Sequence, residues 1–330
     1  MARQTPAHTA GTSRPVGRSR VRLDVKPLLT PVAATVRRIL SGTDNGVTTT
    51  SRAISRPAGA PGWFGPDSAA WQVHGDVAAF LGGIRALLLQ TLHPLALAGI
   101  DGHSSYRNDP FGRLHRTGAF IAATTFGSEE MADRTAAGIT RMHARVSGTA
   151  QDGRGYSATD PELLTWVHIA LVDSMLAAYV GFGNDGPLDA DRYVADMSVV
   201  GAAMGVPQPP RSQQELLDAF DQVRPQLTGS RHVAEVREFV LAPPLSPAAS
   251  LGYGVLARAA EDSLPPWARD MLGSPARRAG SEWANHAMAR TLLRTLQVAL
   301  VESPAREAAR HRLGVSAADM ERISRRRALT

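Results

Sequence analysis

The chain has 330 residues, 43% apolar and 20% charged, enough to bury the core of one large globular domain, and its 5% aromatic content favours helices over sheets. It contains no cysteine, which excludes disulfides, thiolate-ligated haem, covalent haem attachment, iron–sulfur clusters and cysteine nucleophiles. The net charge of +6 sits at the ends: residues 1–26 balance at +5 and residues 304–330 at +4, so the 277 residues between sum to −3 and do not describe a surface that reads nucleic acid.

Residues 1–25 read as a disordered, Arg-rich basic leader without the apolar stretch of a secretory signal. A short amphipathic helix is expected at Thr30–Ser41 and marginal strand character at Val47–Thr50. Ser55 to Asp67 is rich in Pro and Gly and reads as a loop carrying Trp63 and Phe64. The apolar stretch from Val77 to Ile100 is long enough to span a membrane, but Arg85 and Pro94 interrupt it, so it reads as a buried core helix stopped at His93–Pro94.

Cap signals then predict helices in quick succession. The first runs from Asp76 to Leu92, the second from Asp109–Pro110 to Gly127, the third from Ser128 to Gly148 and the fourth from Thr159 to Val180. Further helices are expected at Asp189–Met204, Ser212–Val223 (a capping box with Glu215), Arg231–Leu241, Ala248–Glu261, Pro275–Val301 and Pro304–His311. The fold class is all-α: a single large helical domain from about residue 45 to 302 with a central helix bundle, followed by a basic C-terminal tail at 316–330. No signal peptide or membrane span is recognised, so the expected location is cytoplasmic, with peripheral membrane contact at most through the basic tails.

Three helices carry the candidate chemistry. On the second, Arg113, Arg116 and Thr117 share one face, three and four positions apart, which is continued by Phe120, Ala123 and Thr124. Such a stripe is either an exposed amphipathic face or an arginine pair beside a hydroxyl, suited to an anion or a developing oxyanion. On the third, His143 continues the apolar line Ala132, Ala136, Ile139, while Glu130, Arg134, Arg141 and Arg145 lie opposite. A histidine on an apolar face is either a hydrogen-bonded core residue or a ligand. The fourth is apolar nearly all round and interrupted by Thr165, His168, Asp173 and Ser174, each of which needs a partner when buried. Glu282 and His286 have helical spacing but read as a surface pair, not a metal site.

Taken in order, Gln90-Thr-Leu-His93-Pro94, Gly102-His103-Ser104, Asp109-Pro110-Phe-Gly-Arg113-Leu-His-Arg116-Thr117, Phe126-Gly127-Ser128, His143-Ala-Arg-Val146-Ser-Gly148 and Tyr156-Ser-Ala-Thr-Asp160-Pro161 through Trp166-Val-His168 form an arrangement that resembles the catalytic domain of the latex-clearing-protein/MpaB-type oxygenases. The match is clearest over residues 88–182. The resemblance implies an all-helical oxidoreductase with a non-covalent haem b, acting with dioxygen on a hydrophobic small molecule, isoprenoids included. It implies His143 as the axial iron ligand, with His168 in reserve, and Arg113, Arg116 and Thr117 beside the haem. Two departures stand out. The polyisoprene cleavers carry a lysine where Arg116 stands, and the only lysine here is Lys26. They also carry a glutamate upstream of the arginine motif, and no glutamate lies between Leu88 and Gly127. The alternative is a cofactor-free helical protein that binds an apolar ligand.

Overall fold

The computed structural model describes residues 48–104, 110–275, 280–300 and 302–327, with side chains in the helix at 110–126 described from His115 onward. Within them lie fifteen α-helices and one two-stranded hairpin, so the chain is all-α. The leader at 1–25 and the helix expected at 30–41 fall outside the described residues.

The centre of the molecule is α7 (Pro161–Phe182), which Asp160 caps by accepting from the Glu162 amide at 2.9 Å. The acid at the cap and Pro161 in the first turn start this helix as the sequence predicts. It is apolar on nearly every face and buries Trp166, Ile169, Val172 and Met175. Burying a side chain of this size contributes roughly 1.5–3 kcal/mol, so α7 is the main organiser of the core. Its closest partner is α3 (Ala78–Gln90). A Cβ on Gly82 would fall 2.8 Å from Met175 Sδ, so only glycine allows this crossing. Arg85, buried on α3, donates to Asp173 Oδ2 at 2.5 Å and Ser174 Oγ at 2.9 Å, which satisfies two of the polar interruptions on α7.

The apolar stretch 77–100 is two helices. α3 ends at Gln90, and α4 (Pro94–His103) leaves at 110° to it, with Pro94 in its first turn. The sequence places the stop correctly but leaves α4 as a loop; the proline that ends one helix opens the next. The first predicted helix likewise begins earlier than expected, as α2 (Ala69–Gly75), capped by Ser68 and separated from α3 at Asp76. Among the described residues α7 alone is long and apolar enough to cross a membrane as one helix, and 61% of its apolar window is buried in the protein.

The remaining helices surround this pair: α1 (Thr49–Ile54), α5 (Pro110–Phe126), α6 (Glu129–His143), α8 (Ala190–Ala203), α9 (Gln213–Val223), α10 (Arg231–Leu241), α11 (Pro247–Asp262), α12 (Pro266–Met271), α13 (Ser281–Leu300), α14 (Pro304–Leu313) and α15 (Ala317–Arg327). One contiguous apolar core joins Ile54 at one end of the described chain to Met320 at the other. Thr49 and Thr50, expected as strand, open α1 instead, because Thr48 and Ser51 cap it reciprocally. At α9 only half of the predicted capping box forms: Ser212 accepts from the Glu215 amide, but the Glu215 carboxylate accepts from Arg211 N.

The segment read as a basic tail includes α15. Its Met320 is buried, and Arg327 donates to the Pro66 and Ser68 carbonyls, both at 2.9 Å. Its arginines made it look solvated, yet one apolar residue and one fork of donors suffice to dock it.

Candidate active site

The arginine motif lies on α5, which begins at Pro110; the cap expected of Asp109 falls outside the described residues. Arg116 and Thr117 are exposed on this helix, and one to two turns later Ala123 and Thr124 are buried. The predicted stripe therefore runs from solvent into the core along one helix face. Gly118 stands beside Thr117 with nothing within 4 Å of the place a Cβ would occupy, so the helix surface is open there.

The chain then reverses over Gly127 and Ser128. A Cβ on Gly127 would fall 2.2 Å from the Ala123 carbonyl, and Ser128 Oγ accepts from Met131 N at 3.2 Å to start α6. Glu129 and Glu130 occupy the first turn, where the helix dipole favours them. Two packed helices joined this tightly form an antiparallel hairpin. Arg113 lies in the first turn of α5 and His143 is the last residue of α6, each fifteen residues from Ser128.

His143 is the last residue of α6 and is half-buried, on a line with buried Ala132 and Ala136 and half-buried Ile139. Burial holds its pKa below the ordinary histidine value, which favours the neutral imidazole that binds metals. Neighbouring Met142 is half exposed. α6 stops at His143, short of the expected Gly148, and a hairpin follows: β1 (Ser147–Thr149) antiparallel to β2 (Gly155–Ser157), with Gly148 opposite Tyr156.

This hairpin explains the motif glycines. A Cβ at Gly102 or Gly148 would lie 2.9 Å or 2.7 Å from the Tyr156 hydroxyl, so both positions are kept bare by one phenol. His103 contacts the same ring edge-on at 6.2 Å and reaches the Ser147 carbonyl at 3.2 Å through Nε2. The end of α4 is thus tied to the chain four residues beyond His143.

His168 is buried on α7 and its pKa is pushed down to about 4 by desolvation. Its Cε1 and Nε2 edge lies against Gly201 on α8, where a Cβ would come within 2.9 Å of both atoms. His93 Nε2 donates to Gln226 Oε1 at 3.1 Å, and His93 Nδ1 is buried with no partner among the described residues. His286 accompanies Phe182 as a stacked pair at 5.0 Å and donates through Nδ1 to the Glu282 carbonyl at 3.0 Å, while the Glu282 carboxylate accepts from Arg269.

Two arrangements were invisible in the sequence. His74, buried and held near a pKa of 4 by desolvation, lies 2.7 Å from Thr125 Oγ1 and 3.0 Å from the Tyr193 hydroxyl. Asp101, one of the two acids upstream of Arg113 in this part of the chain, pairs with His232 Nε2 from α10. Both contacts span long sequence separations, and no local spacing signals them. Among the described residues no group of three His, Asp or Glu side chains is arranged to hold a metal ion.

The sequence model of one family, described as ER-bound oxygenase mpaB/B'/rubber oxygenase, catalytic domain, matches residues 71–298. Two curated relatives are 30% identical over 116 residues: uncharacterised protein Mb2261 of Mycobacterium bovis and uncharacterised protein Rv2237 of Mycobacterium tuberculosis. The alignment covers 33% of this chain and 43% of either relative, so the chain matches less than half the length of those proteins. No solved structure matches the chain significantly.

Proposed function

The chain belongs to the mpaB/rubber-oxygenase catalytic-domain family, and from that premise we propose that it is an oxidoreductase of the oxygenase type that holds haem b non-covalently through His143 and acts with dioxygen on a hydrophobic small molecule, isoprenoids included. The observation that carries the reading is His143, half-buried on the apolar line of α6 with its pKa held down by burial, on the helix that directly follows and packs against the helix of the arginine motif. The donor chemistry fits: a single neutral imidazole suffices for a b-type haem, where a bare metal ion would need several ligands. His168 fits less well as the ligand, because its Nε2 edge already faces the backbone of α8.

When bound, haem supplies the one-electron and oxygen chemistry. This chain's own groups supply the rest. His143 stays neutral because of its burial. Arg113 and Arg116 are permanent cations, able to hold a carboxylate or an oxygen that gains negative charge, and the Thr117 hydroxyl can donate to the same group. Arg116, permanently protonated, would act at its motif position only as a cation and could not bond a metal.

The test is reconstitution of the full chain with haemin, followed by its visible spectrum and a pyridine haemochrome assay. His143→Ala should lose most of the haem, and His168→Ala should keep it. Arg113→Ala and Thr117→Ala should keep haem while lowering turnover about tenfold or more. Full haem retention in His143→Ala would transfer the role to His168. A protein that takes up no haemin would leave the cofactor-free apolar-ligand reading in its place.

A further inference from the structure

His74 takes no part in the site built around Arg113 and His143, yet it is held between two hydroxyls. Its Nε2 lies 3.0 Å from the Tyr193 hydroxyl of α8 and its Nδ1 lies 2.7 Å from Thr125 Oγ1 of α5, so three helices meet at one imidazole. Tyr193 is fully enclosed, and its ring stands edge-on to the imidazole at 5.7 Å. Of the two hydroxyls the phenol is the stronger acid, and donation to Nε2 satisfies its hydrogen. The same tautomer leaves Nδ1–H to donate to Thr125. The other described tyrosines are placed differently. Tyr179 donates to the Gly186 carbonyl at 3.0 Å and Tyr253 to the Val240 carbonyl at 2.6 Å, while Tyr156 meets the His103 ring edge-on. A carbonyl does not take a proton at neutral pH; an imidazole does.

Burial decides what this pair can do. It pushes the Tyr193 pKa well above the ordinary value, with the Asp196 carboxylate one turn along α8 adding to it, so the phenolate is not reached. Loss of an electron from the phenol alone would leave a buried radical cation, costly in an apolar interior and a strong acid. His74, kept neutral by the same burial, turns its Nε2 lone pair to that proton. Desolvation makes His74 a weak base, with a pKa near 4, but the oxidised phenol is a far stronger acid. When a one-electron oxidant takes an electron from the ring, the phenolic O–H bond breaks and its proton passes to Nε2. The products are a neutral phenoxyl radical and an imidazolium whose Nδ1–H bonds to Thr125. Both groups are buried, so the proton stays within the pair and returns to the phenol oxygen when an electron comes back.

We propose that Tyr193 and His74 form a redox-active pair, which accepts an oxidising equivalent left by the enzyme's oxygen chemistry and spares the rest of the core. Thr125 joins the pair to α5, eight residues or about 12 Å of helix beyond Thr117. This use rests on the oxygenase reading; the redox pair itself does not, and it is tested without haem. The experiment is flash oxidation of the full chain by photogenerated ruthenium(III) tris-bipyridine, with persulfate as electron acceptor, followed by electron paramagnetic resonance. A neutral tyrosyl radical is expected, with a hydrogen bond whose proton exchanges slowly in heavy water. Tyr193→Phe removes only the hydroxyl and should abolish that signal. Thr125→Val, close in shape, should shorten its lifetime several-fold, and His74→Leu should lower its yield several-fold. The melting temperature identifies which variants are folded. A signal unchanged in Tyr193→Phe would assign the oxidation to another tyrosine and overturn the inference. So would the absence of a tyrosyl radical in the parent chain, or unaltered yield and lifetime in the folded variants of Thr125 and His74.

Discussion

Arg312, on α14, donates to the Phe126 carbonyl at the end of α5 over 2.8 Å. The same guanidinium, 2% exposed, also donates to the carbonyls of Ile54, Ala60 and Gly127. One cation thus ties α1, the loop after it and the reversal between α5 and α6. Planar, five-donor geometry makes this possible; a lysine has three donors at one point.

Arg312→Met should accordingly destabilise the fold by at least about 3 kcal/mol, since several buried carbonyls lose a charged donor at once. Arg312→Lys should recover only part of that. The urea midpoint is the measurement, and an unchanged midpoint in the methionine variant would refute the role.

Removing residues 316–330 should lower the melting temperature by roughly 5 °C or more. Met320 burial alone is worth about 1.5–3 kcal/mol, and a domain of this size shifts by about 2–4 °C per kcal/mol. A truncated chain that melts with the full-length protein would show that the Arg327 contacts at Pro66 and Ser68 add nothing.

Acid should unfold this protein in a defined window. His74 and His168 are held near pKa 4 by burial, against an ordinary value of 6.5. Between those values the unfolded chain binds more protons than the native one, so stability falls as pH drops from about 6.5 towards 4. Each histidine adds a slope of up to about 1.4 kcal/mol per pH unit. Denaturation curves at pH 7 and pH 5 measure it, and His168→Met should flatten the dependence. A variant with the full wild-type slope would show that His168 is not buried neutral.

Gly201→Ala should cost about 1–3 kcal/mol, because the new methyl would meet Pro209 Cβ at 2.7 Å and the His168 ring at 2.9 Å. Combining it with His168→Ala should recover part of the loss. Strict additivity in that double-mutant cycle would mean the ring and the helix do not touch.

What the sequence revealed was local. Ser128, Asp160, Asp189 and Ser212 each accept from a backbone amide two or three residues ahead, which is a short-range signal that a linear reading can find. α4 was missed because Pro94 reads as a stop, and the hairpin because strands of three residues leave almost no alternation. α15 was missed because its arginines outweigh one methionine. Around the candidate site, the motif order located the helices of Arg113 and His143. Asp101–His232 and Arg312–Phe126 could not be found this way, since their partners lie 131 and 186 positions apart.

The crossing of α3 with α7 also sets an order of events during synthesis. Arg85 leaves the ribosome 88 residues before Asp173. At about 5–20 residues per second, α3 waits roughly 4 to 18 seconds for the helix that covers it. Throughout that interval Leu81, Ile84, Leu88 and Leu89, all enclosed in the finished protein, lack the α7 surface that packs against their helix. The nascent chain therefore presents a long greasy segment to every chaperone and targeting factor at the tunnel exit, and Arg85 and the break at Pro94 are what distinguish it from a membrane anchor while it waits.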